Sequence, residues 1–333
     1  MSKVFIEVYA YHAETLYPYI VNLAKEEDVV LYNSTCPGAE TIEMLPQKKF
    51  EFSLLRLLTL LINNDITAIH INSISVNLHG GMFFPAWSKT LKIILIPYLC
   101  RLFGVTDIQG VVHEADQYFS VDKASNKRHL YYQKFFGRFH IKLFKKLYVL
   151  APEVKKYLKV NSSKVEVMST RPLIDLYLDQ KKIQEDKVIS CVWIGPVKSY
   201  RRNWKPLLTL NKETLKYNNI VIDMVCDIRD GEGDELRKEL EKLGLTPYFK
   251  FREYRPDDAE LFSAVRSGSL VLCLYANNYY GSIKTSGARH IALAFDKPSL
   301  VFDGEYKVLN SEGLSSLRFN DFNDAIINVI DDL

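Results

Sequence analysis

Short apolar runs and helix-patterned segments alternate along almost the whole of this sequence, and this alternation limits the fold more than any other feature. The apolar runs are rich in β-branched and aromatic residues, which is typical of buried strands. Strands are predicted at 4–10, 29–33, 68–73, 107–115, 146–151, 164–169, 188–195, 220–227, 248–254, 270–276 and 299–303. Helices are predicted at 14–25, 50–62, 87–103, 127–145, 152–158, 203–215, 234–243, 256–266, 286–295 and 322–330. Since each strand is regularly followed by a helix, the sequence predicts an α/β fold with helices on both faces of parallel sheets.

One polar, charged stretch interrupts this alternation near the middle of the chain. It runs from Arg171 to Lys187 and has Pro172 near its start. A length of 333 residues suits two domains better than one. We therefore predict an N-terminal Rossmann-like domain over 1–171, a linker over 172–187 and a C-terminal Rossmann-like domain over 188–333. Because doubly wound sheets bind ligands at the carboxyl ends of their strands, we expect these two domains to face each other across a ligand-binding cleft.

Composition and missing motifs exclude several classes of protein. The five cysteines are scattered, with no Cys-x-x-Cys pair, as is typical of reduced, buried thiols. No P-loop, no Gly-x-Gly-x-x-Gly after the first strand and no Gly-x-Ser-x-Gly is present, which argues against kinase-like ATPases, dinucleotide dehydrogenases and α/β-hydrolases. No His/Cys cluster has ligand spacing, so no metal site is expected. The chain enters a strand without a signal-peptide pattern, and its longest apolar run, 91–100, is too short to span a bilayer. We expect a cytoplasmic protein, with peripheral membrane contact left open.

The segment from Asn277 to His290 is the strongest candidate for binding an anion. It follows an apolar strand and opens a helix whose first N–H groups have no partner within the helix. Thr285 or Ser286 can cap this helix, and Gly287 permits close approach of a ligand to the backbone. The positive end of the helix dipole favours a diphosphate there, and Lys284 adds a full charge. The alternative is an ordinary capped helix with Lys284 in solvent.

The same segment carries a resemblance to a known family. The sequence from Tyr280 to Ala288, followed by that from His290 to Val301, resembles the donor-binding segment of GT-B glycosyltransferases, especially family 4. The stretches Cys191–Pro196 and Pro256–Gly268 resemble the first donor-domain strand and the helix before the donor strand. The resemblance implies a metal-independent, retaining transfer of a sugar from a nucleotide-diphosphate donor to a glycan, lipid-linked or other acceptor. A UDP- or GDP-sugar would be the co-substrate, and no cofactor is implied.

The sequence departs from the family at the positions of two glutamates. Family 4 members commonly carry two glutamates with seven residues between them in the donor segment, and those positions are Ile283 and Ile291 here. A catalytically inactive GT-B-shaped protein with a binding or regulatory role is therefore the alternative function.

The loop after Gly195 is the second candidate for contact with the donor. It contains Lys198, Arg201 and Arg202, and in the family a basic residue of this loop reaches the donor diphosphate. Fixed cations stabilise the charge that develops on a leaving nucleotide diphosphate. Arg201 or Arg202 matches the family residue best and Lys198 is the alternative, whereas a solvated basic loop would need none of them. Among the further donor-binding candidates, Glu253 follows a strand and is assigned to the nucleoside, and Tyr280 lies in the donor segment.

Acceptor-binding and catalytic candidates follow strands of the N-terminal half. The segment at His113, Glu114 and Asp116 resembles the acceptor-domain segment whose histidine faces the cleft. His113 could hydrogen-bond a sugar hydroxyl, and Glu114 or Asp116 could accept a proton from the acceptor. The alternative is a turn whose carboxylates pair with lysines. His12 and His79 also follow strands and are acceptor-binding candidates, although His12 could instead cap a helix and His79 could belong to a plain turn.

A basic and aromatic stretch occupies residues 123–146. Seven lysines and arginines between 127 and 146 are interleaved with Tyr and Phe residues, and the stretch 123–146 contains no Asp or Glu. Three interpretations remain open: a helix whose rings pack on the sheet, a contact with a membrane surface, and binding of a nucleic-acid acceptor. The net charge of +3 by itself does not favour nucleic acid.

Overall fold

The computed structural model describes residues 2–8, 13–34, 42–63, 66–74, 84–119, 131–157, 163–168, 188–276, 286–302, 305–310 and 315–331. These residues belong to two compact units, the first containing the described residues up to Met168 and the second those from Val188 onwards. The expected linker at 172–187 lies outside the described residues.

The described residues of the first unit form a wholly parallel sheet. Its strand order is β3-β2-β1-β4-β5-β6-β7. The strands are β1 Ser2–Ile6, β2 Val29–Tyr32, β3 Lys48–Glu51, β4 Ile66–Ile71, β5 Asp107–Val112, β6 Lys146–Val149 and β7 Val165–Val167. The helices are α1 Ala13–Leu23, α2 Leu54–Asn63, α3 Phe84–Leu102, α4 over 131–143 and α5 Pro152–Tyr157. α4 is irregular, because a π-helical turn at Gln133–Gly137 precedes its α-helical and 3-10 turns.

The second unit begins with the same strand order and ends differently. Its order is β10-β9-β8-β11-β12-β13-β14, and β13 and β14 are antiparallel additions to a parallel sheet. The strands are β8 Ile189–Ile194, β9 Ile220–Asp227, β10 Phe249–Arg252, β11 Leu270–Cys273, β12 Ser299–Phe302, β13 Tyr306–Leu309 and β14 Ser315–Phe319. The helices are α6 Lys212–Tyr217, α7 Gly233–Lys242, α8 Asp258–Ser267, α9 Gly287–Ala294 and α10 Phe322–Asp331.

Apolar cores lie on both faces of the second sheet. Successive side chains of a strand point to opposite faces, and β8 shows this clearly. Cys191 and Trp193 pack into one cluster of buried residues. Val192 and Ile194 pack into another with Ala288, on the side of α9. The near-continuous apolar runs seen in the sequence are therefore strands buried on both faces, as expected of a parallel sheet.

In each sheet the strands on one side of the first strand run in descending order and those on the other side in ascending order. The candidate sites lie at the strand ends where this order reverses. We call the carboxyl ends of β1 and β4 the first switch point, and those of β8 and β11 the second switch point. In open parallel sheets, ligands bind outside the strand ends at such a reversal.

The predicted α/β class with two doubly wound, parallel-dominated sheets is confirmed, but three details differ. β3 occupies 48–51, whereas a helix was predicted to begin at residue 50. This strand lies at the edge of the sheet, where charged Lys and Glu residues are common, and it has no apolar run that would have indicated a strand. β13 and β14 were not predicted. The helix predicted at 203–215 is a 3-10 turn, Lys205–Thr209, followed by α6, since Asn211 caps α6 through Glu213 N and Thr214 N.

Candidate functional site

The second switch point holds a buried arginine against a glycine. Gly195 follows β8 with a φ of +86°, a conformation that glycine adopts without strain. A Cβ at this position would lie 2.9 Å from Nη2 of Arg202, so the guanidinium packs directly on the glycine backbone. Arg202 is only 8% exposed. The sequence therefore places a positive charge at the carboxyl end of β8, shielded from most of the solvent.

Backbone hydrogen bonds join the loop after β8 to the end of β11. The N–H of Asn203 donates to the carbonyl of Leu274 at 2.9 Å, and that of Ala276 donates to the carbonyl of Arg201 at 3.2 Å. Arg202 and Tyr275 form an isolated antiparallel bridge between these bonds. The loop after β8 is therefore held at Arg202 against the end of β11, the strand that precedes the donor-binding segment predicted from the sequence.

A hydroxyl pair connects the end of β11 to the start of α9. The hydroxyl of Tyr275 lies 2.8 Å from Oγ of Ser286, within hydrogen-bond distance. Ser286 caps α9 by accepting a hydrogen bond from the N–H of Arg289 at 3.1 Å. Burial, aided by Cys273, raises the pKa of Tyr275 well above its ordinary value, so its hydroxyl stays protonated at neutral pH. Gly287 is exposed, and a Cβ there would meet no described atom within 4 Å. Within the described part of the chain, nothing therefore covers the first turn of α9 at Gly287.

The other donor-binding candidates lie in different surroundings. Lys198 forms an ion pair with Asp230 at 2.8 Å, and that hydrogen bond raises the pKa of Lys198. Arg201 is exposed. Glu253 is exposed beyond β10 and pairs with Arg237 at 2.9 Å. Tyr280, Lys284 and Thr285 lie outside the described residues. The structure thus brings Arg202, Ser286 and Gly287 to one edge of the sheet and leaves Lys198 and Glu253 in ion pairs.

Two residues of this site were not found from the sequence. Tyr275 ends an apolar run and looked like part of the core. Glu232 accepts hydrogen bonds from Oγ of Ser199 at 2.7 Å and from Nε1 of Trp204 at 2.7 Å. These hydrogen bonds lower the pKa of Glu232, and the bond from Ser199 has the larger effect. They also connect the middle and the end of the 196–204 loop to the start of α7. No sequence pattern marked this contact.

The first switch point is built around a buried carboxylate. Glu7 follows β1 and Asn72 follows β4, and both are buried. Nδ2 of Asn72 donates a hydrogen bond to Oε2 of Glu7. Nε2 of His113, after β5, donates to the carbonyl of Asn72 at 3.1 Å. The candidate His113 therefore belongs to a polar cluster at the strand ends, and Glu7, the residue at its centre, was missed.

The carboxylates next to His113 have different environments. Glu114 is half-buried and accepts a hydrogen bond from Nε2 of Gln117 at 2.9 Å. Asp116 lies in the 3-10 turn Ala115–Gln117 and is fully buried. His12 and His79 lie outside the described residues. In the described part of the chain, no three or more His, Cys, Asp or Glu side chains are grouped as a metal site would need.

Comparison with known proteins gives similarity in structure only. No protein-family model matches the chain, and no curated protein sequence does so significantly. A solved protein from Listeria monocytogenes, described as a UDP-N-acetylglucosamine 2-epimerase, has a TM-score of 0.57 at 11% identity, over 99% of this chain and 88% of that one. HepE of Anabaena, solved with UDP, has a TM-score of 0.52 at 12% identity, over 90% and 79%. A glycosyltransferase from Rickettsia africae has a TM-score of 0.50 at 12% identity, over 90% and 78%.

These matches extend over nearly the whole chain, and the sheets described above account for them. At 11–12% identity they concern the fold and not the residues of the site. The chain therefore has a two-domain α/β fold that matches solved GT-B proteins.

Proposed function

We propose that this protein is a glycosyltransferase that takes its sugar from a nucleotide diphosphate bound at the second switch point. The observation that carries the proposal is the buried guanidinium of Arg202, which packs on Gly195. The backbone of Arg202 is bridged to that of Tyr275, whose hydroxyl meets the cap of α9. A buried arginine beside a helix N-terminus is suited to a phosphate group, because both favour negative charge.

The chemistry of transfer explains why a cation is needed at this place. The bond between the sugar's anomeric carbon and the diphosphate oxygen breaks, and the diphosphate leaves with the bonding electron pair. An acceptor hydroxyl forms the new bond to that carbon and loses its proton to a base. Arg202 stabilises the charge on the leaving diphosphate, most strongly as the bond breaks. The N–H groups of the first turn of α9 are the second source of stabilisation.

The remaining donor contacts are proposals that follow from the family resemblance. Lys284, Thr285 and Tyr280 are assigned to the donor because they precede α9. UDP- and GDP-sugars are the proposed co-substrates, and HepE, one of the similar structures, was solved with UDP and with UDP-glucose. Family 4 membership, and with it retention of stereochemistry, rests on the sequence resemblance alone.

We assign the acceptor to the first unit. His113 lies at the carboxyl end of its sheet and is half-buried, which suits a hydrogen bond to a sugar hydroxyl. Glu114 is the better of the two proposed bases, because its side chain is partly exposed whereas Asp116 has no exposed surface. A glycan or a lipid-linked glycan is the proposed acceptor class.

A catalytically inactive binding protein is the second candidate, and one observation favours it. Ile291 stands where the family's second glutamate falls, and its side chain is buried in the core cluster of α9. This position therefore offers no carboxylate to the donor. Such a protein would still bind a nucleotide diphosphate at the second switch point.

A two-stage experiment tests these functions. Calorimetry with UDP, GDP and ADP tests binding, and uridine sugars and guanosine sugars are then incubated with the protein while the products are followed by NMR. Binding together with slow donor hydrolysis supports the transferase, and binding without turnover supports the inactive protein. Inversion at sugar carbon 2 would identify an epimerase instead. Absence of binding to every nucleotide diphosphate would refute the proposal.

A further inference from the structure

Exposed aromatic rings on α4 have no role in the proposed sugar transfer. Tyr131, Phe135, Phe136 and Phe139 are between 61% and 66% exposed. Tyr132 of the same helix is buried, and its ring packs edge-on against that of Tyr118, so only part of the aromatic set of α4 is exposed. Contiguous exposed apolar surface of this kind marks an interaction site in a stable protein.

A second exposed apolar stripe lies on α3. Leu91, Leu95, Tyr98 and Leu102 are exposed, whereas Ile96 is buried. The exposed residues recur every three or four positions, so they lie on one face of the helix. That face points away from the core, to which Ile93, Ile96 and Cys100 of α3 belong.

The two helices contact each other, which places the exposed stripe of α3 beside the C-terminal part of α4. The ring centroids of Tyr98 and His140 are 6.4 Å apart and nearly parallel. Nη2 of Arg101 donates a hydrogen bond to the carbonyl of Leu143 at 2.8 Å. We call the exposed side chains of α3 and α4 the aromatic–basic surface.

This surface also carries positive charge. Lys134, Arg138 and Lys142 are exposed and four residues apart, and Nζ of Lys142 lies 5.6 Å from the ring centroid of Phe139. The sequence has no Asp or Glu between 84 and 103 or between 131 and 146. The cations of these two helices therefore have no acidic partner on their own elements.

We propose that the aromatic–basic surface binds the face of a lipid bilayer that contains anionic lipid. Rings and leucines enter the headgroup region, and the cations contact lipid phosphates. Among the described helices, none combines the length and hydrophobicity needed to cross a bilayer. A symmetric dimer through this surface would bring like charges together, and nucleic acid would leave the leucines of α3 without a partner. The proposal does not depend on nucleotide binding.

The surface lies beside the segment that carries the acceptor candidates. A Cβ on Gly137 of α4 would be 2.2 Å from the carbonyl of Gln117, so only glycine allows this close approach. Gln117 belongs to the turn that follows His113 and Glu114. A bilayer bound at α4 therefore lies close to the proposed acceptor site, which favours a lipid-linked acceptor.

Vesicle sedimentation tests the proposal with the full chain. We expect the protein to sediment with vesicles of phosphatidylcholine and phosphatidylglycerol, but much less with phosphatidylcholine alone, and to be released by salt. Two multiple variants should each weaken vesicle binding at least tenfold. The first combines Phe135→Ser and Phe139→Ser, and the second combines Lys134→Glu, Arg138→Glu and Lys142→Glu. Each basic residue near an anionic membrane contributes roughly fivefold to the binding constant. Tyr217→Ser with Lys216→Glu is the matched control, because Tyr217 is 90% exposed in the second unit.

Circular dichroism and nucleotide calorimetry of each variant show whether both units remain folded, and they separate this proposal from the proposed function. Failure of the unaltered protein to sediment with anionic vesicles would overturn the membrane proposal, whatever the variants do. Unchanged binding by both variants would overturn it as well. The surface would be assigned to another partner if the protein does not bind vesicles but forms a concentration-dependent dimer that the same variants abolish. Binding of a labelled single-stranded oligonucleotide that these variants abolish, again without vesicle binding, would lead to the same conclusion.

Discussion

At the first switch point the central buried group is the carboxylate of Glu7, whereas at the second it is the guanidinium of Arg202. The strand order around the two points is the same. The difference lies in the residues that come after β1 and β8: a carboxylate bonded to Asn72 in one unit, and a glycine turn that accommodates an arginine in the other. The shared scaffold therefore places an acidic side chain at one strand edge and a basic side chain at the other. In the proposed function the first edge serves the acceptor and the second binds the phosphate.

The largest effect is expected from removing the cation of the second switch point. Arg202→Gln should weaken binding of a nucleotide diphosphate about a hundredfold, because a charge-assisted contact worth about 3 kcal/mol is lost. Isothermal titration calorimetry measures this change. Arg201→Gln is the matched control, since its side chain is exposed and should leave affinity unchanged. If Arg201→Gln loses affinity and Arg202→Gln keeps it, the diphosphate is held by the exposed residue instead.

Acid should destabilise the first unit through a buried neutral histidine. Burial, with Lys3 adding to it and Asp107 and Asp28 opposing it, lowers the pKa of His70 from 6.5 to about 4. Between these values the unfolded chain binds a proton that the folded unit excludes, so stability falls as pH falls from 6.5 towards 4. The loss at pH 5 is of the order of 2 kcal/mol.

Urea unfolding at pH 7, 6 and 5 measures this dependence. His70→Gln, which keeps a polar group near the hydroxyl of Tyr19, should flatten the curve. His140, whose pKa burial also lowers to about 4, acts in the same direction and remains in that variant. An identical pH dependence in the two proteins would show that His70 takes no part.

A change at the first switch point should affect turnover without affecting the donor. Glu7→Gln removes the charge that Asn72 contacts, and Asn72 in turn accepts a hydrogen bond from His113. Loss of the charged acceptor, worth about 1.5 kcal/mol, should lower the transfer rate roughly tenfold and leave nucleotide affinity unchanged. Steady-state kinetics beside calorimetry separate the two quantities. Weaker nucleotide binding in this variant would contradict the division of roles between the two edges.

The smallest effect is expected at the start of α9. Ser286→Ala removes the cap on the N–H of Arg289 and the partner of the Tyr275 hydroxyl. Loss of a helix cap costs about 1 kcal/mol, so thermal unfolding of the second unit should begin a few degrees lower and nucleotide affinity should fall severalfold. Tyr275→Phe removes only the shared hydroxyl contact and should do less. A larger effect of Tyr275→Phe would show that the tyrosine itself contacts the ligand.

The sequence predicted most of the sheets because their central strands are apolar on both faces. β9, at Ile220–Asp227, agrees with its predicted bounds. β3 and β14 are edge strands and β13 lies next to β14, in parts of the sheets where short, mixed sequences carry little strand signal. Their existence depends on pairing with a neighbour, which a local pattern does not contain.

The candidate sites were predictable only in part, for a similar reason. The loop after Gly195 could be identified as a candidate from its position, but the sequence did not show which of its three basic candidates contacts the donor. Close packing on Gly195 and the bridge to Tyr275 place Arg202 at the switch point, and both depend on tertiary contacts. Glu7 was missed because a single carboxylate at the end of an apolar run is unremarkable, and its partner Asn72 is 65 residues away.

Two of the three tryptophans lie close to the two ends of the 196–204 loop: Trp193 is in β8, just before the loop, and Trp204 is its last residue. Nε1 of Trp193 donates to the carbonyl of Gly195 at 2.9 Å, and Trp204 is bonded to Glu232. A rearrangement of this loop around a ligand alters the surroundings of both indoles, and therefore their emission. The protein thus contains its own fluorescent reporter, and stopped-flow measurements can time loop movement without an attached dye.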